Sequence, residues 1–175
     1  MKTIYDPYSA VGGNLCLDFI NTLGGHRLTS PIEYLHSYSD LVHWAKDVNI
    51  IDDSLKERLL LESKQNKLVS TEVFSYAIQI RETLYRLTTS LMTGTVIGSD
   101  DLDFFNKAVS KTNSQKVLTY SFGRMVWSYS SDFDLERIIW PIIESACDIF
   151  TGENLTRIRE CGNETCSWLF LDSVI

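Results

Sequence analysis

Ser70-Thr-Glu-Val73-Phe74-Ser-Tyr-Ala77-Ile-Gln-Ile80-Arg81-Glu82-Thr-Leu84-Tyr-Arg86-Leu87-Thr-Thr-Ser-Leu91-Met92 repeats its apolar residues at three- and four-residue steps, and Gly94 follows. That spacing lays Val73, Phe74, Ala77, Ile80, Leu84, Leu87, Leu91 and Met92 along one face of a helix. A glycine just past the last turn ends it. The pattern predicts the longest helix of the chain over about 70–92, and with it a mainly α domain. Arg81 falls inside the apolar arc, whereas Glu82 and Arg86 are expected to point away. A buried guanidinium needs an acceptor, because an unpaired internal charge is too costly to keep. Asp18 or another acidic group of the first helix is the expected partner. An anionic ligand is the alternative, as is an arginine whose stem packs while its head reaches water.

Outward from this helix, most segments read the same way. Leu15, Cys16, Phe19, Ile20 and Leu23 predict a helix over 13–23, closed by Gly24-Gly25. Its polar residues Asn14, Asp18, Asn21 and Thr22 form one narrow stripe, which either faces water or lines a cavity. Ser39 is the expected cap of a second helix and Asp52 or Asp53 of a third, running to about Asn66. Ser99 is the expected cap of another, to about Ser110. Residues 116–130 change character: β-branched and aromatic residues flank Gly123, which predicts one small antiparallel hairpin. An apolar stripe over 134–151 predicts a last long helix, kinked or broken at Pro141, and Asn154 caps a short one after Gly152. The expected architecture is a single mainly α-helical domain with one hairpin, for which α+β is the alternative label.

Composition narrows the function. The 175 residues are 44% hydrophobic, enough for one domain and a short appendage. Sixteen basic residues against 23 acidic ones give a net charge of −7, a poor match for a phosphate backbone. No signal-peptide core and no membrane-length apolar run are seen, and four cysteines without a framework spacing suit the cytoplasm. His26, His36 and His43 are not spaced as ligands on one helical face. No nucleophile stands beside a base in any recognisable pattern, so an enzyme is not expected. Cys161 and Cys166, with Gly162-Asn163 between them, look like the first pair of a zinc site, which needs four ligands. Cys16 and Cys147 read as small core residues.

Gly12-Gly13-Asn-Leu-Cys-Leu-Asp18-Phe-Ile-Asn21-Thr22-Leu resembles the opening motif of the bacterial ABATE domain of stress-induced transcription regulators. Arg27, Trp44, Ile80-Arg81-Glu82-Thr-Leu-Tyr-Arg86-Leu and Leu155-Thr-Arg157-Ile-Arg159-Glu-Cys161 continue the match. Cys166-Ser-Trp168-Leu-Phe-Leu-Asp172-Ser173 resembles the start of a CGNR zinc finger. The resemblance implies a helical sensor or regulatory domain over 1–153 and the first half of a zinc finger over 154–175. In the complete family module a basic stretch and a second cysteine pair with Gly-Asn-Arg would follow, binding zinc and DNA. Here the finger is expected to be truncated, the Cys161–Cys166 half-site empty of zinc, and DNA to be bound only through the missing finger. Residues after about Ser167 should be weakly ordered unless Trp168, Leu169 and Phe170 dock. Asp18, Asn21, Thr22, Arg27 and Arg81 are the candidate ligand-binding residues, for a small anionic or carbonyl-bearing ligand. A homodimerising assembly module without a small ligand is the alternative.

Overall fold

A computed structural model describes residues 10–131 and 134–172; the remainder of the two expected stretches, including Ser173, lies outside the described residues. α1 (Leu15–Ile20) is the hub. Its Cys16, Leu17, Phe19 and Ile20 are all fully buried, so a helix of under two turns is held by what surrounds it rather than by its own propensity. Asn14 caps it, accepting from the Cys16 amide, and Ser145 donates to the same Asn14 oxygen at 2.9 Å.

Around the hub stand α2 (Tyr38–Asp47), α3 (Asp53–Gln65), α4 (Lys67–Thr93), α5 (Ser99–Ser114) and α6 (Ile139–Thr151). The caps explain the limits. Ser37, not Ser39, caps α2, and Asp52 accepts the Leu55 amide at 2.7 Å to start α3. Gly94, with φ +69°, closes α4 where a left-handed residue is needed. Phe19 meets Trp44 of α2 with ring centres 5.2 Å apart. Ile139, Ile142, Ile143, Ala146 and Ile149 of α6 complete the core.

The fold is mainly α, as expected, but among the described residues three two-stranded antiparallel sheets replace the single hairpin. β1 (Leu23–His26) pairs with β2 (Ser30–Glu33), β3 (Lys116–Ser121) with β4 (Arg124–Tyr129), and β5 (Ile158–Glu160) with β6 (Leu169–Leu171). Only β3–β4 was expected. Gly24-Gly25 does not end a long first helix; it builds β1. A side chain at Gly24 would collide with the Tyr34 ring, 2.6 Å from its Cβ. One at Gly25, which has φ +69°, would lie 2.2 Å from the Ser30 carbonyl. The glycines thus permit a close hairpin. The last helix is split as well. A 3₁₀ turn over Leu135–Ile138 precedes α6, which places Pro141 in the first turn, where no intrahelical donor is required. No described helix is long and apolar enough to cross a membrane.

Candidate functional site

The polar stripe of α1 neither faces water nor lines an open cavity. It grips the segment that carries Leu169 and Leu171. Asn21 donates from its amide to the Leu169 carbonyl at 2.8 Å and accepts from the Leu169 amide at 2.9 Å, so one buried side chain stands in for a neighbouring strand. Asp18 accepts the Gly12 amide at 2.7 Å, and the Gly12 carbonyl accepts the Leu171 amide at 2.9 Å. Further along, the Ser167 amide donates to Gly25 at 3.0 Å and the Ser167 hydroxyl accepts from the Arg27 amide at 3.3 Å. Leu169 is fully buried. The docking arm of the expectation for this segment is therefore the one observed.

Beside this seam lies a four-charge cluster. Arg81, 2% exposed, donates Nη1 and Nη2 to the two oxygens of Glu33 at 2.8 and 2.6 Å, a bidentate pair. Its Nε donates to Glu82 at 2.9 Å, and Nη1 also reaches the Thr22 hydroxyl at 3.2 Å. The other Glu82 oxygen accepts from Arg27 at 2.6 Å, and Arg27 donates to the Ile20 carbonyl at 2.7 Å. The Arg27 guanidinium lies 4.0 Å from the centre of the Tyr85 ring, a cation–π contact. Arg81 thus is buried and paired, but not with Asp18. Its partner comes from β2, which the sequence did not reveal as a strand. Glu82, expected to point away, turns sideways at the rim of the helix and bridges both arginines.

A cleft of about 360 Å³ opens between the β1–β2 hairpin and the cysteine loop, a size suited to a small molecule. Gly25, Ser30, Pro31, Ile32 and Tyr34 form one wall, and Thr165, Cys166 and Trp168 the other. The family profile for ABATE, described as "Putative stress-induced transcription regulator", matches residues 13–153. The chain belongs to the ABATE family. A comparison with curated proteins gives no significant match.

In this ABATE chain, then, the five candidate residues divide. Thr22, Arg27 and Arg81 meet in the cluster, whereas Asp18 and Asn21 serve the seam, and none of the five lines the cleft. Glu33, Tyr34, Tyr85 and Ser167 carried no sequence signal: each depends on a strand pairing or turn that brings distant residues together.

The electrostatics follow from burial and partners. Burial pushes the Asp18 carboxyl up to about 6, with the Gly12 amide opposing. Burial would raise Glu33 too, but the hydrogen bonds and charge of Arg81, with the Leu35 and Tyr34 amides, outweigh it and hold Glu33 below its ordinary range. Burial likewise opposes the charge on Arg81, and its carboxylate partners overcome it. Arg27 goes the other way: burial, with Arg81 nearby, lowers it despite Glu82.

Cys161 and Cys166 sit at the tip between β5 and β6. The Cys161 amide donates to Trp168 at 2.8 Å and the Cys166 amide to Asn163 at 2.9 Å, which curls the loop and brings the two thiols together. Burial is the main cause raising the Cys166 thiol above its ordinary value, with the Trp168 amide opposing. Two adjacent thiols suit half of a tetrahedral zinc site. No third histidine, cysteine, aspartate or glutamate joins them among the described residues, so these residues alone do not compose a zinc site.

Proposed function

We propose that this chain is the ligand-sensing part of a transcription regulator, and that the cleft between β1–β2 and the cysteine loop takes a small, largely apolar molecule bearing a carbonyl. One observation carries the reading: the two walls of a single cleft are the hairpin tied through Glu33 to Arg81 and the loop that bears Cys166. A molecule seated there touches both, so its binding changes how the cysteine hairpin lies against the body. Ser30 offers its hydroxyl to the carbonyl, and Pro31, Ile32, Tyr34 and Trp168 supply apolar surface. The anionic ligand is disfavoured, because both arginines already hold carboxylates. Arg27, Arg81 and Thr22 act in this account as supports that position the hairpin wall. The role is binding rather than conversion, and it needs no cofactor in the cleft.

DNA contact belongs, in this reading, to a finger that Cys161 and Cys166 begin and zinc completes with two further ligands. The site of action is the cytoplasm, where the four cysteines, all free, stay reduced.

Benzamide and phenylacetate serve as neutral and anionic probes in an NMR titration. Saturable shifts of the Gly25, Thr165 and Trp168 amides with benzamide, lost in Ile32→Trp, are expected. Shifts that persist in Ile32→Trp, or no saturable shift at these amides with either probe, overturn the cleft as the site.

A further inference from the structure

The hairpin β3–β4 is built unlike the rest of the molecule. Its register pairs Leu118 with Trp127 and Tyr120 with Met125, which puts four large apolar side chains on one face. Phe122 stands at the tip. These five residues are between 53% and 101% exposed, Phe122 the most. The hairpin is anchored at its base. There the Tyr129 hydroxyl donates to Glu144 at 2.9 Å, Lys116 lies 3.1 Å from the same carboxylate, and the Tyr129 ring packs on Trp140 and under Arg137. A two-stranded hairpin with no further cover is marginal in water, and an apolar patch of this kind marks a contact surface.

The turn points the same way. Phe122 and Gly123 have φ of +50° and +79°, so both central residues are left-handed. Such a turn favours Asn-Gly, and a phenylalanine there is held at a local energetic cost. Strain of this kind collects where a side chain is presented for use.

We propose that this face, with Phe122, is a two-fold interface between two copies of this chain. Charge permits the second copy. Residues 116–130 contain Lys116 and Arg124 and no acidic residue, so the hairpin carries +2 while the rest of the chain carries −9. An arm-to-arm contact keeps the two −9 bodies apart, and the like charge it brings together is small because Lys116 is paired with Glu144 at 3.1 Å. The remaining −9 also opposes approach to an anionic bilayer. Area argues for it. Five large side chains at half to full exposure amount to on the order of 800 Å² per copy, the one-sided area of a standard specific interface. A row of apolar cross-strand pairs is self-complementary, as a two-fold contact requires. The dimer sets two cysteine hairpins on one assembly, and it stands independently of the ligand assigned to the cleft.

Sedimentation velocity across the micromolar range tests it, on wild type, the double variant Leu118→Glu/Met125→Glu, Tyr120→Lys, and Val96→Glu as an exposed control elsewhere. Circular dichroism melts confirm that each variant is folded, which the exposure of these positions favours. Wild type and Val96→Glu are expected to dimerise alike, and both hairpin variants to weaken the dimer by at least about tenfold. A wild type that stays monomeric throughout, or hairpin variants that dimerise as well as wild type, overturns the proposal. So does monomeric wild type that binds phosphatidylglycerol vesicles through the hairpin, since the occupant would then be a lipid surface.

Discussion

The seam between α1 and β6 and the arm β3–β4 use opposite physics. In the seam and the charge cluster beside it, polar groups are buried and almost every one is paired: Asn21 with both backbone groups of Leu169, Asp18 with Gly12, and Arg81 with Glu33, Glu82 and Thr22. In the arm, apolar groups are exposed and only the base is held. Buried pairs contribute little net stability but are severely destabilising when halved, whereas exposed apolar groups contribute almost nothing to the isolated fold. The seam should therefore be fragile to substitution and the arm tolerant.

Arg81→Ala is the hardest test of that contrast. It leaves Glu33 without either of its guanidinium bonds, and it should destabilise the domain by about 3 kcal/mol, at the lower end for a broken buried pair because Glu33 keeps some contact with water. Urea unfolding measures it. A loss no larger than that of an exposed-surface substitution would mean that the cluster does not hold the hairpin.

Asp18 should show a pH signature of intermediate size. Its carboxyl is raised to about 6 in the fold, so the neutral form is the one the fold favours. The contribution is fully present below the ordinary carboxylate range and is lost as pH rises through about 6. Asp18→Asn keeps an acceptor for the Gly12 amide and removes the ionisation, so it should stabilise the domain by about 2 kcal/mol near pH 8 and change little near pH 4. Acid acts on Glu33 in the opposite sense, because its lowered carboxyl loses the Arg81 pair on protonation. Equal effects of Asp18→Asn at both pH values would remove Asp18 from the seam.

The smallest effect belongs to the arm. Phe122→Asn should leave the monomer's stability within about 0.5 kcal/mol of wild type, or slightly raise it, because the side chain is fully exposed and asparagine suits the left-handed turn position. A large loss in a melt of the monomer would show that the tip supports the fold.

The long helix, its glycine stop, the Asp52 cap and the hairpin at Gly123 were legible because each depends on local spacing and local chemistry. The burial of Arg81 was legible too, from its place in an apolar arc. Its partner was not. Glu33 reaches Arg81 only because Gly24 and Gly25 let a second hairpin form, and a glycine pair after an apolar run reads equally well as a helix stop. Asn21 reads from the sequence only as part of a polar stripe that faces water or lines a cavity, and a wheel cannot say that its acceptor and donor lie on a backbone 148 positions away. The cleft was invisible for the same reason, since its walls are 25–34 and 165–168.

Amide hydrogen exchange at Leu169 tests most directly the claim that the polar face of α1 holds the cysteine hairpin. In wild type the Leu169 amide should be protected to the level of the α1 amides and far beyond that of Thr119 in the arm. In Asn21→Ala its exchange should rise by about tenfold or more, as expected for losing one to two buried hydrogen bonds. A wild-type Leu169 amide that exchanges as fast as Thr119, or one that Asn21→Ala leaves unchanged, would contradict the account.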